Sequence, residues 1–584
     1  MQPLKSDAVN GADTRGTADA APWLGYYGAV PAHLEYPDRT LYQVIAATAA
    51  RVPDAVAWDY FGRRSNYRSL LADIDACADA LAALGLARDD RFLIAMPTAP
   101  QAVIAFYAAN KLGAVPALIH PLSTPPEIEH YLNATGAEFA LTLDAIYPNF
   151  VAAHPRRALR HLLIARIDDY LPPLPRIVYW WRRGRHIARL PTDARVLRWR
   201  ELMHGKHAAH GAAGRSTHDP AAVLFSGGTT ALPKGIVLSN RNFIAQGLQA
   251  TRWGDIHAGD SILAILPIFH GFGLGVCVNA ALMVGGTSIL VPTFDAAAVA
   301  KLIRRKRPAF LVGVPTLFAA LARDAGLAHA DLSFLRAAFC GADSLPRPVK
   351  ERFEALVAAG GGKLHLLEGY GLTEAVTGIM AMPMQHYREG SIGVPFPDMA
   401  AKICAPDSER EVEIGTEGEI CIAGPAVMLG YLDDPDATRQ ALRRHADGRI
   451  WLHTGDLGRQ DADGFFYFSV RLKRMIKSSG FNVYPAQVEA VLIAHPGVAE
   501  VCVIGVPDPE QIERVIACVV PTKDAAGGST QLAQALIAYC REHLIKWSCP
   551  REIRFCASLP HTRVGKIDYR DLQQRYRSEG DHVA

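Results

Sequence analysis

Residues 224–235 read Leu-Phe-Ser-Gly-Gly-Thr-Thr-Ala-Leu-Pro-Lys-Gly. The apolar run from Ala221 to Phe225 predicts a buried strand. It passes straight into Ser226, Gly227, Gly228, Thr229 and Thr230. Glycines let the backbone come close to a ligand, so several N–H groups can point at one anion. The threonine hydroxyls add donors, and Lys234 adds a positive charge. This is the chemistry of a polyphosphate cradle. It is not the Walker arrangement, because Lys234 follows Pro233 and no Ser or Thr follows the Lys-Gly pair. A plain turn between two strands could use the same residues, so the rest of the chain has to decide.

Four further motifs follow in order. Residues 368–374 read Glu-Gly-Tyr-Gly-Leu-Thr-Glu, and residues 453–458 read His-Thr-Gly-Asp-Leu-Gly. Residues 471–489 run from Arg-Leu-Lys through Ser-Gly-Phe-Asn-Val-Tyr-Pro to Val-Glu, and residues 560–567 read Pro-His-Thr-Arg-Val-Gly-Lys-Ile. Together the five resemble the adenylate-forming superfamily, which holds acyl-CoA synthetases, peptide-synthetase adenylation domains and firefly-type luciferases. The resemblance runs from about residue 40 to 575 and is strongest to bacterial long-chain fatty acyl-CoA ligases.

At 584 residues, several domains are expected. A net charge of +3 gives no support to nucleic-acid binding. The ten cysteines show no Cys-x-x-Cys pair and read as reduced thiols of a cytoplasmic protein. Residues 1–30 read as a disordered leader. Between Asp260 and Asp295 there is no charged residue, but Pro267 and five glycines punctuate the run. That pattern suits short buried strands and a helix better than a membrane span.

From about residue 40 to 470, helix-like and strand-like segments alternate: Leu70–Leu84, Arg91–Met96, Ala99–Leu112 and Ala114–Ile119 are examples. Alternation predicts mainly parallel sheets covered on both faces. After Arg471 a compact α/β unit is expected, with strands over 501–506 and 515–520 and helices over 487–494 and 531–543. The expected fold is therefore α/β. A large domain over 31–472 has mainly parallel sheets flanked by helices, and a small mobile C-terminal domain covers 473–584.

Residues 155–206 are rich in arginine and centre on Tyr-Trp-Trp-Arg-Arg-Gly-Arg-His. Two readings stay open. The segment is either a solvated excursion whose aromatics pack back on the domain, or a peripheral contact with the anionic inner face of a membrane.

The resemblance implies a reaction. A carboxylate is a poor electrophile; attack on the α-phosphate of ATP gives acyl-AMP and pyrophosphate, and a thiol then displaces AMP. CoA is the leading acceptor. A carrier protein is the alternative, and a catalytically weak acyl- or nucleotide-binding homologue is a third reading. ATP, CoA and Mg²⁺ are the implied cofactors. Ser226, Gly227, Gly228, Thr229, Thr230 and Lys234 would hold the β- and γ-phosphates. Glu374 would bind Mg²⁺, and Thr373 the α-phosphate. Gly341-Ala342-Asp343 and Gly369-Tyr370-Gly371 would bracket adenine, with Asp456 and Arg471 on the ribose. Lys566 would bridge the α-phosphate and the acid. His270 would stand at the carboxylate end of an apolar acyl pocket. Lys473 would be the hinge, and Ser479-Gly480 would face the CoA path.

Four positions depart from the family pattern. Ala231 stands where the phosphate loop usually has Gly, Arg474 where the hinge usually continues with Asp, Gln487 where Glu is usual, and Tyr569 where an Arg is frequent. None removes a principal catalytic residue, so they bear on rate and partner rather than reaction class.

Overall fold

The computed structural model describes residues 21–182, 190, 193–225, 233–471, 474–478, 481–483, 485–508, 512–522, 525, 529–544, 548–561 and 567–580. The chain forms two units. The first comprises the described residues up to Ala342, with Phe353–Ala401 and Ile422–His453; the second comprises Asp343–Arg352, Lys402–Cys421 and the described residues from Thr454 onward.

Two large sheets organise the first unit. Nine described strands form one, in the order Val394–Pro395, Gly378–Ala381, Leu366–Gly371, Ala337–Cys340, Phe310–Gly313, Ser261–Ala264, Thr287–Leu290, Val56–Tyr60 and Arg63–Asn66. Pairing is parallel from Leu366–Gly371 across to Val56–Tyr60 and antiparallel at both ends. Eight make the other: Gly430–Tyr431, Gly235–Ser239, Pro220–Phe225, Val115–Leu118, Arg91–Ala95, Phe139–Leu143, His161–Ala165 and Val196–Arg198. Its central strands are continuous apolar runs buried on both faces, as parallel sheets require. Helix Pro100–Leu112 is buried at every position and stops at Gly113, whose φ of 73° only glycine takes without strain.

The expected segments fall close to these elements. Leu70–Leu84 lies in helix Tyr67–Ala83 apart from its last residue, and the predicted strand before the phosphate loop is Pro220–Phe225. The uncharged stretch after Asp260 is no single span. It holds strand Ser261–Ala264, a π-helix over Phe272–Ala280, a short helix Ala281–Val284 and strand Thr287–Leu290. No described helix is long and apolar enough to cross a membrane. The leader read over 1–30 needs correction at its end. Pro22–Tyr26 forms a 3₁₀ turn, and Tyr27 is buried, with its hydroxyl donating to the Pro395 carbonyl at 2.6 Å.

The basic segment carries an amphipathic helix, Pro173–Arg182. Its tryptophans stay largely in solvent: Trp180 and Trp181 are 54% and 63% exposed, Leu174, Ile177 and Val178 are exposed beside them, and Tyr179 is half-buried. Trp199, later in the segment, is buried.

In the second unit, strands Phe481–Val483, Ile476–Ser478, Ile512–Pro521 and Val498–Asp508 pair antiparallel in that order, and Glu552–Phe555 adds a parallel strand beside Ile512–Pro521. Side chains alternate between two cores, as a pleated strand dictates. Val501 and Val503 join Val488 and Leu492 of helix Pro485–Ala494 on one face, while Cys502, Ile504 and Val506 meet Leu572 of helix Tyr569–Gly580 on the other.

Candidate active site

Thr373 and Glu374 stand where the first unit's sheet turns back on itself. Strand Leu366–Gly371 is the last parallel strand, and Gly378–Ala381 returns antiparallel to it. The connection is a 3₁₀ turn over Thr373–Ala375 followed by a tight reversal at Val376. Val376 has φ 64° and ψ −60°, and the Thr377 N–H reaches the Ala375 carbonyl at 2.7 Å. That is a γ-turn with positive φ, a rare and strained conformation that is most unusual for a β-branched residue. Such strain persists only where the surroundings over-determine it, and it concentrates at functional sites.

The surroundings here are the π-helix, a wide-turn element itself frequent at functional sites. A Cβ on Gly271 would stand 1.6 Å from the Val376 carbonyl oxygen, and one on Gly371 would stand 1.9 Å from the Thr377 oxygen. The absence of a side chain at both positions is what lets the turn seat. His270 immediately precedes this contact. Its Nδ1 accepts the Phe272 N–H at 3.2 Å, which leaves the ring proton on Nε2.

Lys234 and Glu374 are joined through a residue the sequence reading missed. Tyr431 lies on a two-residue strand paired with Gly235–Ser239, the strand that follows Lys234. Its hydroxyl donates to Glu374 Oε1 at 3.0 Å, and Lys234 Nζ lies 5.0 Å from the centre of its ring. Lys234 also pairs with Asp434 at 3.2 Å. Asp434 caps helix Pro435–Ala441, accepting the Ala437 N–H at 2.9 Å; that bond, then Lys234, holds its carboxyl below the ordinary range. Burial, and then the Glu374 charge, push the Tyr431 phenol well above its usual value, so it stays a donor at neutral pH. The Met428 N–H meets the Glu374 backbone carbonyl at 2.8 Å, fixing the turn from the same side. A two-residue strand has no periodicity to read, which is why Tyr431 escaped. The only signal was an aromatic between a glycine and an Asp-Asp-Pro turn.

Gly341 and Gly369 sit on the parallel strand pair Ala337–Cys340 and Leu366–Gly371 or at its end. A Cβ on Gly341 would lie 3.1 Å from the Gly369 oxygen and 3.4 Å from the Phe272 ring. Ala342 takes φ 71°, turning the chain out of the strand. Tyr370 is buried and faces Met380 across the hairpin.

The second unit brings Asp456 and Arg471 together. They are paired residues on antiparallel strands Ile450–Gln460 and Phe466–Arg471, and Arg471 Nε lies 3.3 Å from Asp456 Oδ1. Asp456 is buried, while about half of the Arg471 side chain is exposed. The Asp456 N–H meets the Thr454 hydroxyl at 3.1 Å, and the Gly455 N–H meets Glu419 at 2.8 Å. Asp343, also of this unit, accepts the N–H of Ser344.

Two of the sequence departures touch each other here. The Arg474 guanidinium lies 5.0 Å from the ring centre of Tyr569 and bonds the Glu489 carboxylate, which also accepts the Val503 N–H at 2.7 Å. A cation at 474 thus comes with an aromatic at 569 to receive it. Ser226, Gly227, Gly228, Thr229, Thr230, Lys473, Ser479, Gly480 and Lys566 lie outside the described residues.

Comparison with known proteins places this arrangement. The pattern of the AMP-binding enzyme family matches residues 45–432, and that of the AMP-binding enzyme C-terminal domain matches residues 487–566. A long-chain-fatty-acid–CoA ligase of Bacillus subtilis (strain 168) is 33% identical over 96% of this chain and 99% of its own. A feruloyl-CoA synthase of an Amycolatopsis species is 31% identical over 90% and 96%. The crystal structure of ATP-bound MatB from Rhodopseudomonas palustris superposes with a TM-score of 0.78 at 25% identity, covering 93% of this chain and 100% of that one. With family patterns over most of the sequence and near end-to-end relatives, this chain belongs to the AMP-binding enzyme family, whose fold it shares.

Proposed function

We propose that the protein activates a medium- or long-chain fatty acid with ATP and passes the acyl group to CoA. The acid's carboxylate oxygen attacks the α-phosphorus and pyrophosphate leaves. The CoA thiol sulfur then attacks the acyl carbon, its proton is lost, and AMP leaves. The observation that carries the fatty-acid reading is the 33% identity, almost end to end, with the Bacillus subtilis long-chain-fatty-acid–CoA ligase. An aromatic acid is the second reading, because the feruloyl-CoA synthase stands only slightly further away at 31%.

In this reading Lys234 and the loop 226–230 hold the β- and γ-phosphates, Thr373 meets the α-phosphate, and Tyr370 with Gly341 and Gly369 receives adenine. Asp456, with Arg471 beside it, takes the ribose hydroxyls. His270 meets the acid's carboxylate, and Lys566 neutralises charge gathering at the α-phosphate. The Glu374 carboxylate, held by Tyr431, suits Mg²⁺, a hard cation that prefers few carboxylates plus phosphate oxygens. When bound, Mg²⁺ would supply positive charge beside the phosphate oxygens. The large domain is taken as 31–472 and the small one as 473–584, with Lys473 as hinge and Ser479-Gly480 on the CoA path.

The deciding experiment is AMP release from a panel of fatty and aromatic acids, with CoA, with a carrier protein, and with neither. Turnover of C8–C18 acids that requires CoA supports the proposal. Turnover only with carrier protein, or only with aromatic acids, overturns it.

We assign the segment 155–206 a peripheral contact with an anionic membrane, which would place the enzyme at the cytoplasmic face. The exposed Leu174, Ile177, Val178, Trp180 and Trp181, together with arginines on the same helix, support this. Sedimentation with vesicles should require anionic lipid and weaken with salt. Binding that is absent or insensitive to salt would return the helix to solvent.

A further inference from the structure

Helix Asn240–Trp253 carries three buried amides on one face, Asn242, Gln246 and Gln249, at i, i+4 and i+7. The outer two are tied to backbone. Asn242 Nδ2 donates to the Pro425 and Val427 carbonyls at 2.8 and 2.7 Å, and Gln249 Nε2 donates to the Pro397 carbonyl at 2.7 Å. Gln246 is different. It is fully buried, and neither its Nε2 nor its Oε1 meets a partner among the described residues. No other described side chain leaves two buried polar atoms unmet.

An orphaned buried amide is costly, and an apolar residue of the same size would avoid that cost. Its position gives it a use. The point where a Cβ of Gly275 would stand lies 2.8 Å from Gln246 Oε1, 3.1 Å from Val376 Cγ1 and 3.3 Å from Thr377 Cγ2. The amide therefore lies between the π-helix and the strained turn that follows Glu374. The other two atoms nearest that point are methyl carbons, and the Gln246 amide offers there both a donor and an acceptor that meet no partner among the described residues.

We propose that Gln246 is a specificity-determining residue of the acyl site, and that the preferred acid carries a hydroxyl or keto oxygen along its chain which bonds the Gln246 amide. The proposal rests on the fatty-acid ligase reading and narrows it. A site built to bond a substrate oxygen discriminates strongly against the analogue that lacks it, because its own polar group is then left unmet.

The test pairs each parent acid with oxygenated partners: dodecanoate with its hydroxy isomers along the chain, and cinnamate with 4-hydroxycinnamate. ATP–pyrophosphate exchange gives kcat/KM for each. In the parental enzyme at least one oxygenated acid should exceed its parent by about tenfold, the scale of one hydrogen bond. Gln246→Leu should erase that ratio while plain acids react as well as before or better, and Gln246→Asn should keep part of it. The melting temperature of ligand-free Gln246→Leu should equal or exceed the parental value. A lower one means that a buried water already satisfies the amide, and overturns the proposal. So does a parental enzyme that favours no oxygenated acid, or a ratio unchanged in Gln246→Leu. If no acid of the panel supports exchange at all, it is the ligase reading that fails.

Discussion

Replacing Tyr431 by Phe removes one hydroxyl and leaves the ring under Lys234 in place. The lost interaction is the 3.0 Å hydrogen bond to Glu374 Oε1. A hydrogen bond to a charged group contributes about 1.5–3 kcal/mol. Both side chains are half-buried, so the lower end applies. About 1.5 kcal/mol corresponds to roughly a tenfold fall in kcat/KM for adenylation. The fall should come through Glu374: its carboxylate loses the Tyr431 hydrogen bond, so half-maximal exchange should need more Mg²⁺, with the KM for the acid unchanged. Pyrophosphate exchange measured across a Mg²⁺ titration reads both effects. Tyr431→Leu also removes the ring that Lys234 lies over, so it should raise the KM for ATP in addition. A Tyr431→Phe enzyme within twofold of the parent at every Mg²⁺ concentration would refute the reasoning.

Lys566→Ala should abolish adenylation yet spare thioester formation from supplied acyl-adenylate; equal loss of both half-reactions would remove Lys566 from its role. Lys473→Pro should keep much of the pyrophosphate exchange and lose most acyl-CoA formation, because proline fixes φ and restricts the preceding residue; acyl-CoA made at the parental rate would refute the hinge. Gly271→Ala should lower the melting temperature, since its Cβ would meet the Val376 carbonyl at 1.6 Å and overpacking of this kind costs about 3 kcal/mol; an unchanged melting curve would show that the turn yields freely.

The α/β class and most element positions could be read from the sequence because buried parallel strands appear as unbroken apolar runs between amphipathic helices. Arg91–Ala95 and Pro220–Phe225 are examples. The motif over 224–235 stood out by its composition, and Asp456 and Arg471 through the family resemblance that the ordered motifs carry. What stayed hidden depends on contacts distant in sequence. Tyr431 matters because its short strand pairs with residues nearly two hundred positions earlier. Gln246 reads as an ordinary helix residue until its neighbours Asn242 and Gln249 are seen to be bonded and it is not. The γ-turn at Val376 contradicts local propensity, since nothing in Ala-Val-Thr favours positive φ. It is seated instead by close backbone approach at Gly271 and Gly371 and by the Met428 N–H on the Glu374 carbonyl. The exposed face of Pro173–Arg182 was legible as a charge pattern, but whether its tryptophans folded inward was a question of tertiary packing.

The meeting of Gly271 with Val376 brings main chain against main chain. Such a wall has no side chain to trim or enlarge, so it cannot be reshaped in small steps. Selection would find this contact closed to single substitutions, because any atom added at 271 collides and any relaxation at 376 moves Glu374 two residues away. Gln246 of helix Asn240–Trp253 comes near the same turn through a side chain, which can change one residue at a time. Variation among related ligases with different acids should therefore gather on that helix, while the turn and the π-helix change together or by a change in loop length.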